Sequence, residues 1–249
     1  MDKVEILQNM FTGMPRGGPG SNATTRRAYG LLTGAPAAPR ILDVGCGPGM
    51  QTLELARLSG GMVTGLDNHQ PFLDALAAGA KDDGLQDKVR TVHGSMDALP
   101  FGPEEFDVIW AEGSLFIMGF ERALPYLKGF LKPGGYLAAS DLTWLRDDPP
   151  PELSRFFAKH GAVVMDTADT LALFAAAGYE MVGHFALPTC DWRDNLYTPM
   201  EQRLPLLRAR FRGNPEALAA VDEMQVEIEM NRKYGDYYGY VFYVARKGR

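Results

Sequence analysis

The chain has 249 residues, of which 46% are hydrophobic and 22% charged, and this balance excludes a globally disordered protein and a fibrous repeat. A formal net charge of −6 argues against nucleic acid or an anionic membrane as the main partner. Two cysteines, Cys46 and Cys190, cannot form a disulfide framework or a cysteine-rich metal site. Charged residues replace the apolar run of a signal peptide, and no apolar run approaches the roughly 20 residues of a membrane span. We expect a cytoplasmic protein with no bound metal.

The first 35 residues differ from the rest of the chain. Their pattern predicts an amphipathic helix over 4–11, a glycine- and proline-rich break over 13–20, and a second helix that begins at Ser21 or Asn22 and runs to Leu32. The segment is either a loose leader or a flap that folds over a ligand, since glycine-rich loops serve both purposes. The predicted division is a helical flap over 1–35 and one main domain over 36–249.

From residue 40 onward, short apolar strands alternate with helices. The strands are predicted at 41–44, 62–66, 89–93, 106–110, 136–139, 179–187 and 240–245, and the main helices at 71–80, 121–131 and 170–177. Such alternation is typical of parallel strands that are joined by crossovers and covered by helices on both faces. The fold class is therefore α/β.

Two helical insertions interrupt this pattern, at about 144–166 and 190–236. They hold many of the aromatic residues, namely Trp144, Phe156, Phe157, Trp192, Tyr197, Phe211, Tyr234, Tyr237 and Tyr238. These rings either surround an apolar substrate beneath a cap or simply pack the added helices. Four arginines at 203, 208, 210 and 212 are interpreted as a solvent-facing cluster.

The segment from Asp43 to Gly49 carries the main chemical signal. It is a glycine turn between an apolar strand and an amphipathic helix, at the edge of a parallel sheet where ligands bind. Asp67 ends the next strand, where a carboxylate accepts hydrogen bonds from the hydroxyls of a ribose. A dinucleotide site needs a third glycine where Met50 stands, and Asp43 suits an ammonium group better than a pyrophosphate. The predicted ligand has a ribose and a cationic end but no phosphate.

Four segments, taken in order, resemble the motifs of the class I S-adenosylmethionine-dependent methyltransferases. They are motif I at 41–49, motif II at 62–67, the "LPF…FDxI" segment at 99–109 and the "LKPGG" turn at 131–137. The chain is most similar to the ubiquinone/menaquinone-biosynthesis-like group of small-molecule methyltransferases. The resemblance implies a Rossmann-like, doubly wound, mostly parallel seven-stranded sheet with the last strand antiparallel. It also implies S-adenosylmethionine as cofactor and S-adenosylhomocysteine as product.

The resemblance further implies which residues contact the cofactor. Gly45, Cys46 and Gly47 would line its methionine end, Asp67 would hold the ribose, and Asn68 would lie against the adenine. Many relatives have an aspartate at the position of Ser95, so Asp97 or a water would replace that contact to the adenine, and Met96 would pack on the ring. The full predicted set is Asp43, Gly45, Cys46, Gly47, Asp67, Asn68, Ser95, Met96, Asp97 and Glu112. Cys46 is expected to be a packing residue rather than a nucleophile.

Glu112 lies just past the fourth predicted strand and is the leading candidate for a catalytic base. Methyl transfer from a sulfonium is an in-line displacement, so a base helps only when the acceptor carries a proton that must leave. The alternative role of Glu112 is to hydrogen-bond the cofactor's amino-acid end or the local backbone. Asp141, past the fifth strand, is a second acid at the same edge.

Three functions remain open at this point. The first is methyl transfer to a small, partly apolar acceptor, with no nucleic-acid partner. The second is a nicotinamide-dependent oxidoreductase on a similar sheet, which Met50 disfavours. The third is a binding protein that keeps the cofactor pocket without catalysis. A homodimer is left open.

Overall fold

The computed structural model describes residues 3–248. The predicted domain limits of 1–35 and 36–249 also include Met1, Asp2 and Arg249, which lie outside the described residues. The strands are β1 Ile41–Val44, β2 Val63–Asp67, β3 Val89–His93, β4 Phe106–Glu112, β5 Leu131–Trp144, β6 Met165–Asp166, β7 Tyr179–Ala186 and β8 Tyr238–Lys247. The helices are α1 Lys3–Phe11, α2 Asn22–Tyr29, α3 Met50–Leu58, α4 Gln70–Asp82, α5 Phe120–Lys128, α6 Pro151–Lys159, α7 Thr167–Ala176, α8 Thr189–Trp192, α9 Thr198–Arg210 and α10 Pro215–Tyr234. A 3₁₀ turn covers Leu115–Ile117, and a π-helical turn covers Arg193–Tyr197.

The strands form one sheet in the order β3-β2-β1-β4-β5-β8-β7. Strands β1 to β5 are parallel, and β8 is antiparallel to both β5 and β7. The predicted seven-stranded, mostly parallel sheet with an antiparallel last strand is confirmed. The eighth strand, β6, has two residues and pairs with the end of β5, and no sequence pattern predicted it.

Local sequence explains where several elements begin. Ser21 caps α2 through a reciprocal bond with Thr24, and Asn214 caps α10, whose first residue is Pro215. The one-sided stripe predicted on α10 is buried, including Val221 and Ile228, so it is a packing face. Every residue of β1 is buried, as expected for a central parallel strand.

Two predicted helix ends are wrong. The helix predicted over 121–131 ends at Lys128, because Leu131 already pairs with Phe106 as the first residue of β5. The "LKPGG" segment is therefore part of β5, where a register shift absorbs its extra residues. The helix predicted to reach Leu32 ends at Tyr29, followed by Gly30.

The N-terminal segment is packed against the domain. Ile6, Met10 and Met14 are buried in the same apolar cluster as residues of the second insertion, including Trp192 and Met200. The opposite face of the sheet carries a second cluster, formed largely by α5, α7 and the adjoining strands. Within residues 3–248, none of the helices combines the length and the apolar composition that a bilayer-spanning helix needs.

Two arginines of the cluster predicted to face solvent hold this segment. Arg203 donates to the carbonyl oxygen of Thr12, and Arg210 Nη2 donates to Asn9 Oδ1 over 2.7 Å. The solvent-facing prediction was wrong for Arg203, which is partly buried, because nothing in the sequence indicates that α9 lies beside α1. Arg210 is exposed as predicted, and it also contacts α1. Arg208, by contrast, forms an exposed ion pair with Asp222.

Candidate functional site

The glycine turn lies at the carboxyl edge of the sheet, between β1 and α3. Gly45 has φ +70° and Gly49 has φ +93°, a region that disfavours residues with a side chain. A Cβ on Gly45 would lie 2.6 Å from Ser114 Cβ, and one on Gly49 would lie 2.4 Å from Leu76 Cδ1. The turn therefore needs glycine at both places, and it leaves backbone rather than side chains facing outward at this edge.

Asp67, at the end of β2, is bound to the turn. Its Oδ2 accepts a hydrogen bond from the Gly47 N–H and its Oδ1 one from the His69 N–H, each over 2.9 Å. Burial raises the pKa of Asp67, and these hydrogen bonds oppose that rise. Because a carboxylate has about four acceptor positions, Asp67 keeps capacity for two further donors, such as the two hydroxyls of a ribose.

Asp43, the third residue of β1, is fully buried. Its Oδ2 accepts hydrogen bonds from Thr52 Oγ1 (2.6 Å) and Gln51 Nε2 (3.1 Å), whereas Oδ1 is buried with no partner among the described residues. Burial raises the pKa of Asp43 to about 7. An unpaired buried oxygen is costly unless a ligand donor reaches it, directly or through water, so this atom fits an ammonium group.

Glu112, the last residue of β4, is buried and fully engaged. Its Oε1 accepts hydrogen bonds from Thr25 Oγ1 (2.7 Å) and Trp110 Nε1 (2.8 Å), and its Oε2 pairs with the guanidinium of Arg16. This arrangement favours a hydrogen-bonding role over that of a base, because both carboxylate oxygens already have partners. Those partners are two side chains of the N-terminal segment and Trp110 of β4, rather than the local backbone considered from the sequence.

Sequence reasoning missed Arg16 and Thr25. Arg16 and Glu112 are 96 positions apart, and no spacing or periodicity connects them. The only available signal was the glycine- and proline-rich stretch that follows Arg16, which indicates an irregular loop able to approach a ligand.

The N-terminal segment covers the glycine turn. Gly17 N lies 3.9 Å from where a Cβ of Gly47 would be, so the two backbones are close neighbours. Gln8 Nε2 donates to Asn68 Oδ1 over 3.1 Å, and Thr12 Oγ1 lies 3.1 Å from His69 Nε2. Asn68, predicted to lie against the adenine, is exposed and contacts this segment.

The residues predicted near the adenine follow β3. Met96 is half-buried, and its Cε lies 3.3 Å from where a Cβ of Gly45 would be. Ser95 and Asp97 are exposed, and Asp97 forms an ion pair with Arg122. Of these three side chains, the structure therefore brings only Met96 against the glycine turn.

Cys46 is fully buried beneath the turn, and burial raises the pKa of its thiol well above the ordinary value. A thiol in that state is a poor nucleophile, in keeping with the packing role predicted for it. Asp141 lies towards the end of β5, where burial raises its pKa to about 6. Its Oδ1 accepts a bond from the Leu142 N–H, and no ion pair within the described residues neutralises it.

These features form one arrangement along the edge of β1, β2 and β4. Two carboxylates accompany the glycine-rich turn: Asp67 at the end of β2, bonded to the Gly47 N–H, and Asp43 in β1, bonded to Gln51 and Thr52 of α3. A family model described as a methyltransferase domain matches residues 41–135, which contain the whole turn and both carboxylates. Residues 41–135 are therefore similar to a methyltransferase domain, and this match covers less than half of the chain.

Similar proteins agree with this assignment. A sterol 24-C-methyltransferase of Gibberella zeae is 29% identical over 162 residues, which cover 61% of this chain and 42% of that protein. The chain thus spans less than half the length of that relative. A (+)-O-methylkolavelool synthase of Herpetosiphon aurantiacus is 26% identical over 223 residues, covering 87% of this chain and 77% of the relative. The subgroup predicted from the sequence, related to ubiquinone and menaquinone biosynthesis, stays a prediction.

A solved structure of the same fold matches nearly the whole chain. It is an S-adenosylmethionine-dependent methyltransferase from Geobacter sulfurreducens in complex with S-adenosylhomocysteine. Its TM-score is 0.79 at 19% identity, and the match covers 97% of both chains. At this identity the likeness supports the fold of the two chains and says nothing further about their chemistry.

Proposed function

We propose that the protein transfers a methyl group from S-adenosylmethionine to a small, partly apolar molecule. The observation that carries the proposal is the pair of carboxylates on the glycine turn. Asp67 is tied to the turn and keeps acceptor capacity for a ribose, and Asp43 has a buried oxygen without a donor. A nucleoside that ends in an ammonium group satisfies both residues, whereas a dinucleotide leaves Asp43 unpaired beside a phosphate.

On the cofactor side, each residue has a distinct task. Asp67 binds the ribose, Asp43 receives the ammonium group, and the backbone of Gly45 to Gly47 lies along the methionyl chain. Met96 packs on the adenine, consistent with its position against Gly45. Bound S-adenosylmethionine supplies an electrophilic methyl group on a sulfonium. The chain holds the two reactants in line and excludes water.

On the acceptor side, aromatic rings of the second insertion reach the same edge of the sheet. Trp192 packs edge to face on Tyr240, with ring centroids 5.0 Å apart. Tyr240 in turn lies against Gly113, immediately past Glu112, where a Cβ on the glycine would be 2.8 Å from the ring. We propose that both insertions and the N-terminal flap form a cap over the acceptor. Rings so placed favour an apolar acceptor over a highly charged one.

Where the acceptor must lose a proton, we propose Asp141 rather than Glu112 as the base. With a pKa near 6, Asp141 is ionised at neutral pH and accepts a bond only from its neighbouring backbone N–H. Glu112 instead anchors the N-terminal segment through Arg16 and Thr25. The cytoplasmic location, the lack of a nucleic-acid partner and the homodimer stay predictions.

Two measurements test the proposal. Isothermal titration with S-adenosylhomocysteine and with NAD is expected to give micromolar or tighter binding of the first and none of the second. Release of S-adenosylhomocysteine from S-adenosylmethionine is then followed against a panel of sterols, terpenoid alcohols and small amines. Tight NAD binding without a response to S-adenosylhomocysteine would overturn the proposal. Cofactor binding without turnover on any acceptor class would favour the non-catalytic binding protein.

A further inference from the structure

Arg16 is a buried cation in a segment that the sequence marks as an irregular loop. The residue is 2% exposed, and its Nη2 donates to Glu112 Oε2. Its Nη1 is also buried, but it has no hydrogen-bond partner among residues 3–248. Buried guanidinium N–H groups are normally paired, because leaving one without an acceptor is costly. One nitrogen of this guanidinium is therefore held by Glu112, and the other has no acceptor in the part of the chain that the structure describes.

The backbone beside Arg16 approaches the glycine turn. The next residue, Gly17, is in close approach to Gly47, and a Cβ on Gly20 would be 2.7 Å from Arg16 Nη2 and 3.0 Å from Glu112 Oε2. Glycine at position 20 thus allows the loop to close tightly on the ion pair. The charges of both Arg16 and Glu112 act on Asp43, so the three groups form one electrostatic cluster.

This cluster contains two unsatisfied atoms of opposite character. Arg16 Nη1 is a cationic donor without an acceptor, and Asp43 Oδ1 is a carboxylate oxygen without a donor. An α-amino acid end presents the complementary pair, a carboxylate and an ammonium group on one carbon. Among the described residues, Asp43 Oδ1 is the one buried carboxylate oxygen without a partner, and Arg203 Nε is the other unpaired cationic donor. Arg203 differs from Arg16 because its guanidinium donates to the carbonyl oxygen of Thr12 rather than to the Glu112 carboxylate.

We propose that Arg16 binds the α-carboxylate at the methionyl end of the cofactor, and that this contact closes the N-terminal segment over the site. The inference rests on the proposed function, since it assumes the nucleoside on the glycine turn. Glu112 is then a positioning residue, because it orients the guanidinium without contacting the cofactor. A carboxylate accepts two N–H groups of a guanidinium well, which makes arginine the suitable residue here.

Closure of this segment also connects the cofactor to the acceptor side. Thr24 Oγ1 donates to Asp191 Oδ2 over 2.6 Å, and Asn195 Nδ2 donates to the carbonyl oxygen of Gly20 over 2.8 Å. Both bonds join the N-terminal segment to the second insertion. Because Gly17 lies over Gly47, the segment must open to admit the cofactor.

The test compares two ligands that differ in the amino-acid end. S-adenosylhomocysteine carries the carboxylate, whereas 5′-methylthioadenosine has the same nucleoside and a thioether but no amino-acid end. In titrations of the full chain, Arg16→Gln is expected to weaken binding of S-adenosylhomocysteine by at least tenfold and to leave 5′-methylthioadenosine within twofold of the wild type. Unchanged binding of the second ligand also establishes that the variant is folded.

Two further variants sharpen this comparison. Arg16→Lys keeps the charge and is expected to recover part of the lost affinity. Arg26→Gln is the matched control, because Arg26 lies in the same segment and pairs with Glu54 away from the turn, so neither ligand should be affected. Hydrogen exchange of residues 12–21 should slow with S-adenosylhomocysteine but not with 5′-methylthioadenosine.

Three results would overturn the inference. An equal loss for both ligands in Arg16→Gln would mean that Arg16 only supports the fold. No loss for either ligand would mean that its free N–H group serves the acceptor instead. Failure of the wild type to bind either ligand would overturn the proposed function itself, and the inference with it.

Discussion

The edge formed by β1 and β2 and the segment that covers it are built by different means. The edge depends on backbone geometry: glycines at positions 45 and 49 adopt left-handed conformations, and Asp67 is bound by the Gly47 N–H. The cover depends on side chains from distant parts of the sequence, such as Arg16 with Glu112 and Thr24 with Asp191. The first arrangement is local in the sequence, and the second is not.

This difference bears on function. An edge fixed by its own backbone is already formed when a nucleoside arrives, so binding loses little ordering entropy there. A cover held by a few buried polar contacts opens at smaller free-energy cost than the core and responds to what it covers. Substitutions at the edge should therefore reduce cofactor affinity. Substitutions in the cover should reduce the stability of the fold or the coupling between cofactor binding and closure of the N-terminal segment.

The largest effect is expected at the edge, from Asp67→Ala. The variant removes the acceptor for two ribose hydroxyls and the partner of the Gly47 and His69 N–H groups. Since hydrogen bonds to a charged group contribute about 1.5–3 kcal/mol, affinity for S-adenosylhomocysteine should fall by about a hundredfold, as measured by titration.

Asp74→Ala is the matched control, because Asp74 is an exposed aspartate on α4 that accepts a bond only from Gln70. This control should bind like the wild type. Unchanged affinity in Asp67→Ala would remove the ribose assignment and the distinction between edge and cover.

In the cover, Thr24→Val should reduce stability. The substitution deletes the bond from Thr24 Oγ1 to Asp191 Oδ2 and the bond that Thr24 Oγ1 accepts from the Ser21 N–H, whereas the cap of Ser21 Oγ on the Thr24 N–H remains. The free energy of unfolding should fall by about 2 kcal/mol, mainly from the loss of a buried charge-assisted bond. Denaturant titration measures this change. Exposed Thr33→Val should have no effect.

Binding of 5′-methylthioadenosine to Thr24→Val should stay at the wild-type level, since the edge is untouched. If the binding free energy of the nucleoside fell by as much as the free energy of unfolding, the cover and the edge would form one cooperative unit.

A smaller effect is expected from pH, through Asp43. Burial raises the pKa of this carboxyl to about 7, so it is largely protonated at pH 6. An ammonium ligand requires the charged form, so binding releases a proton and affinity rises as the pH passes upward through 7. Between pH 6 and pH 8 the ionised fraction of Asp43 rises about tenfold, so affinity for the ammonium ligand should rise about tenfold as well.

Asp43→Asn should remove this pH dependence, whereas Asp141→Asn should keep it. Titrations in buffers of different ionisation enthalpy count the released protons. A flat profile in the wild type would mean that Asp43 does not receive the ammonium group.

The sequence was informative where structure is local. The turn from Asp43 to Gly49, the strand before it and the acid at the end of β2 were all predicted, because strand, turn and helix each carry their own pattern over a few residues. The order of motifs along the chain also predicted the seven main strands of the sheet. The cap of α2 and the buried stripe of α10 followed from short-range rules as well.

The sequence was uninformative where contacts join residues that are far apart along the chain. Arg16 was not singled out, and the two roles considered for Glu112 were left open, because nothing in the sequence shows that the two residues pair across 96 positions. Arg203 was assigned to solvent for the same reason. The end of α5 was misplaced because pairing of Leu131 with Phe106 outweighs the helical pattern before it.

A crystal structure of the complex with S-adenosylhomocysteine would show directly where the cofactor binds. We expect electron density for the nucleoside over Gly45 to Gly47, with both ribose hydroxyls within hydrogen-bonding distance of Asp67 and the amino-acid end between Asp43 and Arg16. Density for the ligand elsewhere, with Gly17 still packed on Gly47 and Asp67 bonded only to backbone, would contradict this expectation.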